Sequence, residues 1–216
     1  MRLPTPPFLL VTDRSQARQG LPAIVAAALK AGCRWMSLRE KDLADVDLIL
    51  LARHLLPLTR AADARLLVHG EASLAKLAGV DGVHLAAGVD SGTARALLGP
   101  EKLIGVSIHT VIEAEAIDPS FVDYALAGPA FETPSKPGYG PEIGRRGLAE
   151  IARAARVPVL AIGGINAARI AELVAAGAAG VAVMGGVMRA TDPAREVAGL
   201  VASLQGSLAI SAPDRC

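Results

Sequence analysis

The chain has 216 residues, a formal net charge of +1, 52% hydrophobic residues, 20% charged residues and 3% aromatics. That balance excludes global disorder, offers no basic face for a nucleic-acid partner, and requires an aliphatic core of Ala, Val, Leu and Ile, which suits buried parallel strands covered by helices. Mean hydropathy is positive, but Gly, Pro and charges break the apolar residues into short runs, and none reaches the roughly 18 residues of a membrane span.

Short apolar runs alternate with Ala-rich amphipathic stretches along the chain. A strand at 8–12 precedes a helix at 21–31, and a strand at 34–38 precedes a long helix at 43–62. Strands at 65–68 and 82–85 are followed by helices at 71–77 and 91–98, the latter stopped by Gly99-Pro100. Strands at 103–107 and 124–127 are followed by helices at 111–117 and 147–155. The last strands, 158–162 and 180–184, precede helices at 167–176 and 192–205. Strict alternation implies parallel strands joined by crossover helices, and eight units imply closure. The expected architecture is one (β/α)8 barrel over residues 1–205, with 206–216 as a mobile tail. An open doubly wound sheet would carry G-x-G-x-x-G after its first strand, and none follows 8–12.

The opening Met1–Pro7 leads into an apolar run too short for a secretory leader. Cys33 and Cys216 are far apart and give no sign of a structural disulfide, so a reducing cytoplasm is the expected setting. Oligomeric state, including a homo-oligomer, is left open.

Four motifs carry chemistry. Gly163-Gly164 follows strand seven and Gly185-Gly186 follows strand eight. Phosphate sites in this fold lie after those two strands, and paired glycines let backbone N–H groups approach an anion closely. The bland alternative is that they only make tight turns. At the exit of strand two, Ser37-Leu38-Arg39-Glu40-Lys41 offers Arg39 and Lys41 to an anionic ligand, with Glu40 to hold one of them in place; a solvated charge cluster is the alternative. The loop 128–146 lacks periodicity and contains Thr133, Ser135 and Lys136, two hydroxyls and a cation suited to phosphate oxygens. Ser107 and His109 leave strand five on alternate positions, facing the barrel mouth, but no G-x-S-x-G elbow supports a hydrolase. His69, at the exit of strand three, is the best candidate for proton transfer; His84, on strand four, is the remaining inward-facing histidine.

The ordered series L-R-E-K at 38–41, D-G-V-H-L at 81–85, G-V-S-I-H-T at 105–110, D-Y at 123–124, G-P-A-F-E-T-P-S-K at 128–136 and A-I-G-G-I at 161–165 resembles the thiamine-phosphate synthase/TenI family, whose fold is this barrel. The resemblance spans nearly the whole chain and implies a phosphorylated thiazole as ligand. One branch of that family, the synthase, joins a pyrimidine diphosphate to a thiazole phosphate with Mg2+ on the leaving pyrophosphate. The other, a tautomerase, shifts a proton on a thiazole phosphate carboxylate without a metal.

Three departures bear on the branch. Ser37 stands where the synthase usually has Gln; His69-Gly70 stands where it has Asn and a Mg2+-binding Asp; and Asp90 lies one residue late for the second metal carboxylate. The tautomerase carries a proposed catalytic His where this chain has Pro129. The leading expectation is therefore a TenI-type enzyme needing no cofactor, with His69, His109 or Glu40 handling the proton. A synthase using Mg2+ on Asp90 and Asp13 is the alternative, and a non-catalytic thiazole-phosphate binder is the third reading.

Overall fold

The computed structural model describes residues 3–133 and 141–211. Eight strands, β1 (Phe8–Val11), β2 (Trp35–Leu38), β3 (Arg65–His69), β4 (Gly82–Leu85), β5 (Leu103–Ile108), β6 (Tyr124–Ala127), β7 (Val159–Ile162) and β8 (Gly180–Val183), pair in chain order, all parallel. The barrel closes where Phe8, Leu9 and Leu10 lie opposite Val181, Ala182 and Val183. Closure leaves no sheet edge, and nearly every strand residue is buried because one face meets the barrel interior and the other meets helices. The outer ring comprises α1 (Leu21–Lys30), α2 (Asp45–Ala61), α3 (Ala72–Ala78), α4 (Ser91–Leu98), α5 (Val111–Glu115), α6 (Gly144–Ala154), α7 (Ile170–Ala175), α8 (Gly185–Met188) and α9 (Pro193–Ser211). The expected barrel is what forms.

Two differences in the helices follow from local chemistry. The short α8 falls where the sequence reads as a glycine loop, since a Gly-Gly pair has poor helix propensity. The last helix runs through Gly206 to Ser211, past the expected boundary at 205; residues 212–216 lie outside the described ones.

Inward-facing residues form their own cluster, including Leu9, Val11, Trp35, Leu67, Tyr124, Leu126 and Leu160. Trp35 and Tyr124 meet edge to face, with ring centroids 4.6 Å apart, a favoured aromatic geometry. Room for the Tyr124 ring comes from Gly105 on β5, where a Cβ would fall 2.1 Å from the Tyr124 Cζ. Outward-facing residues such as Leu10, Met36, Leu66 and Val68 pack with the helices in a second, larger cluster. Cys33 is fully buried, and burial pushes its thiol pKa up to about 11, which makes it unreactive. No helix among the described residues is long and apolar enough to cross a membrane.

Candidate active site

A cavity of about 200 Å³ opens at the carboxyl ends of β5 to β8. Its wall includes Ser107, His109, Pro129, Thr133, both glycine pairs (Gly163-Gly164 and Gly185-Gly186) and Arg189. The fold thus brings most of the candidate ligand residues from four loops to one place, at the end of the barrel where such sites lie.

The glycines do different work. Gly163 and Gly164 have φ of +103° and +63°, a region that disfavours side chains. A Cβ on Gly163 would lie 2.9 Å from the Pro129 Cα, and one on Gly164 would lie 2.5 Å from the Glu132 carbonyl oxygen. These two glycines therefore seat the loop after β6 as well as facing the cavity. The Phe131 N–H donates to the Gly163 carbonyl at 3.2 Å. The Arg169 guanidinium lies 4.2 Å above the Phe131 ring and donates to the Gly164 carbonyl at 2.8 Å. At Gly186 a Cβ would meet nothing closer than the Val183 Cγ1 at 3.5 Å, so close packing does not explain a glycine there.

Ser107 and His109 project from the end of β5. The Ser107 Oγ lies 2.9 Å from the Nε2 of His84, whose Nδ1 lies 3.1 Å from the Tyr124 hydroxyl. His84 is fully buried, and burial, with His69 nearby, drives its pKa well down, so it is neutral. Burial, with Asp123 beside it, drives the Tyr124 hydroxyl pKa well up. His109 Nδ1 lies 2.6 Å from the Gly128 carbonyl oxygen, which can only accept. The Nδ1 therefore carries a proton and donates it to that carbonyl, which fixes the orientation of the ring. The His109 N–H donates to Glu113 at 2.6 Å, fixing the turn beneath the ring.

The remaining candidates divide. His69 does not line the cavity; its ring lies against His84 with centroids 4.7 Å apart. Glu40 is buried beside the cavity rather than in its wall, accepting from the Thr12 Oγ1 at 2.5 Å and the Arg14 N–H at 2.7 Å. Burial raises its pKa, partly opposed by those two donors. It fastens the exit of β1 to that of β2, and does not hold Arg39 or Lys41 as the sequence suggested. The Arg39 side chain is largely buried, with Nη1 3.9 Å from Asp13 and 3.8 Å from the Met184 sulfur. Lys41 is exposed. Ser37 is fully buried inside the barrel with no hydrogen-bond partner for its Oγ among the described residues. Ser135 and Lys136 lie outside the described residues. Arg189 and Gln16 were missed, because each gains meaning only from a contact between residues 173 positions apart.

A closed parallel barrel with a glycine-lined cavity at its carboxyl end has the layout of the barrel enzymes, whose phosphate sites lie at the loops after strands seven and eight. Residues 8–187 match the profile described as thiamine monophosphate synthase (TMP-TENI), and the chain belongs to that family. It is 41% identical over 201 residues to the thiamine-phosphate synthase of Roseiflexus sp. strain RS-1, covering 92% of this chain and 85% of that protein. It is 43% identical over 197 residues to a putative thiamine-phosphate synthase of Geobacter sulfurreducens, covering 90% and 92%. The solved thiamine phosphate pyrophosphorylase of Pyrococcus furiosus superposes with a TM-score of 0.82 at 29% identity, covering 93% of this chain and 96% of that one. Membership of this family makes the chain an enzyme of thiamine biosynthesis, and the relatives' names favour the synthase alternative over the expected tautomerase.

The carboxylates available for Mg2+ fit poorly. Asp90 is the N-cap of α4: its Oδ1 accepts from the Gly92 and Thr93 N–H groups and its Oδ2 from the Thr93 hydroxyl at 2.5 Å. Asp13 accepts from Ser15 and, at 2.6 Å, from the Gln16 amide. Its burial works to raise the pKa, but these donors and Arg39 outweigh it and hold the carboxyl low. Position 70 is a glycine. No group of three or more His, Cys, Asp or Glu suited to a metal occurs among the described residues. The two carboxylates are committed to local caps and do not form the shared oxygen cage Mg2+ requires.

Proposed function

We propose that this protein is a thiamine-phosphate synthase of the cytoplasm, joining a hydroxymethylpyrimidine diphosphate to a thiazole phosphate. The carrying observation is the cavity walled by both glycine pairs and Thr133, in a chain with 41–43% identity to proteins bearing that name. In the reaction the thiazole nitrogen forms a bond to the pyrimidine methylene carbon, and the carbon–oxygen bond to pyrophosphate breaks with both electrons leaving on oxygen. The β7 and β8 loops hold the thiazole phosphate, and the Ser107 hydroxyl, oriented by His84, meets the pyrimidine. Arg39 supplies positive charge toward the leaving pyrophosphate, with Lys136 as a further cation. No step is routed through Mg2+, because the carboxylates present do not fit it.

Incubation with both substrates, with and without Mg2+, followed by oxidation of the product to fluorescent thiochrome, tests the reading. Thiamine phosphate formation is expected; its absence with folded protein overturns the synthase. A second reading, the tautomerase, draws on the poor metal fit and on His109, which lies in the cavity wall with its ring held by the Gly128 carbonyl. Faster aromatisation of the non-aromatic thiazole phosphate carboxylate, followed by absorbance, would establish it. Thiazole phosphate binding with neither turnover would identify a non-catalytic binder.

A further inference from the structure

Arg189 caps the C-terminal end of α8 and lies in the cavity wall beside Gly163, Gly164, Gly185 and Gly186. Among the described lining residues it is the only permanently charged cation. Its Nη1 donates to the Gln16 Oε1. That contact settles the Gln16 amide, because the same side chain then presents Nε2, which donates to the Asp13 Oδ2 at 2.6 Å. The Asp13 Oδ2 in turn lies 3.9 Å from the Arg39 Nη1. A chain of contacts thus crosses the mouth from the exit of β2, over β1, to the exit of β8. The guanidinium groups of Arg39 and Arg189 stand on either side of the Asp13 carboxylate, Arg39 directly and Arg189 through Gln16. The Gln16 amide oxygen is neutral, so this contact orients the guanidinium without cancelling its charge.

We infer that Arg189 binds the phosphate group of the thiazole ester, and that Gln16 is the positioning residue that aims it. This rests on the phosphate cavity of the proposed function and adds a charged ligand to what the glycine loops supply through backbone groups. A guanidinium meets a phosphate dianion through two parallel N–H donors, a geometry that ammonium cannot reproduce.

Calorimetric titration of thiazole phosphate, thiazole alcohol and inorganic pyrophosphate into the full chain and its variants tests the assignment. Arg189→Met should weaken thiazole phosphate about 10- to 100-fold, the range for a lost charge-assisted contact, and leave the alcohol unchanged. Arg189→Lys should recover part of that loss. Gln16→Leu should raise KM for thiazole phosphate severalfold with kcat held, and unfolding midpoints show that each variant is folded. If Arg189→Met binds thiazole phosphate as the wild type does, or loses only pyrophosphate, the assignment is overturned. If the wild type itself binds the ester no better than the alcohol, the phosphate cavity falls and Arg189 with it. Discrimination by the wild type that persists in Arg189→Met overturns Arg189 alone.

Discussion

The imidazole of His84 bridges two hydroxyls: its Nε2 lies 2.9 Å from Ser107 in the cavity wall and its Nδ1 lies 3.1 Å from Tyr124 in the barrel interior. A neutral ring has one donor and one acceptor, so the two hydroxyls must adopt complementary roles and the Ser107 hydrogen is directed by a residue that never meets ligand. His84→Leu leaves both hydroxyls without this partner. It should cost about 1–3 kcal/mol, read as a lower urea midpoint.

The same burial predicts a pH dependence. The folded-state pKa of His84 lies well below its ordinary value of 6.5. The unfolded chain therefore takes up a proton below about pH 6.5 that the folded chain refuses, so the contribution is whole above that pH and is lost as pH falls. Stability of the wild type should decline at up to about 1.4 kcal/mol per pH unit in this region. Denaturant titrations from pH 7 to 5 should show a shallower decline in His84→Leu.

Gly163 and Gly164 should respond to alanine differently from Gly186. At Gly163 and Gly164 a methyl group faces both positive φ and the backbone of the loop after β6. Each substitution should destabilise by about 1–3 kcal/mol, visible in thermal unfolding. Gly186→Ala meets nothing nearer than 3.5 Å and should leave Tm unchanged or raised. Its effect should appear instead as weaker thiazole phosphate binding.

Glu40 separates a fastening role from a catalytic one. Glu40→Gln keeps the shape: its amide oxygen accepts from the Arg14 N–H, and its amide nitrogen donates to the Thr12 Oγ1 in place of the lost bond. It should change stability by about 1 kcal/mol or less and leave the pH profile of kcat unaltered. A collapse of kcat at unchanged Tm would mean that Glu40 moves a proton.

Asp90 offers the matching test for metal. Asp90→Ala removes the cap of α4 and should lower Tm, whereas Asp90→Asn keeps an accepting oxygen and should restore it. Neither should alter any dependence of turnover on Mg2+ concentration. A shifted Mg2+ dependence in Asp90→Asn would show that this carboxylate holds the ion.

The barrel was legible because strands buried on both faces read as continuous apolar runs, and eight of them alternated with amphipathic stretches. The meeting of the two glycine pairs in one cavity wall was legible because they recur after the consecutive strands β7 and β8. The sequence did not reveal that Gly163 and Gly164 are also demanded by the approach of Pro129 and Glu132, since that is a tertiary contact. Glu40 was misread because a carboxylate between two cations looks like their partner, whereas Thr12 and the Arg14 backbone claim it. The Gln16–Arg189 contact joins opposite ends of the chain and leaves no local pattern.

Arg169 stacks on Phe131 and bonds to Gly164, tying the loop after β6 to the loop after β7. The glycine end of the cavity and its Thr133 wall therefore behave as the two jaws of a fixed gauge. If the proposed phosphate seat on the glycines holds, a ligand reaches Thr133 only at a matching length, and esters with longer or shorter side arms would be sorted by span before any chemistry begins.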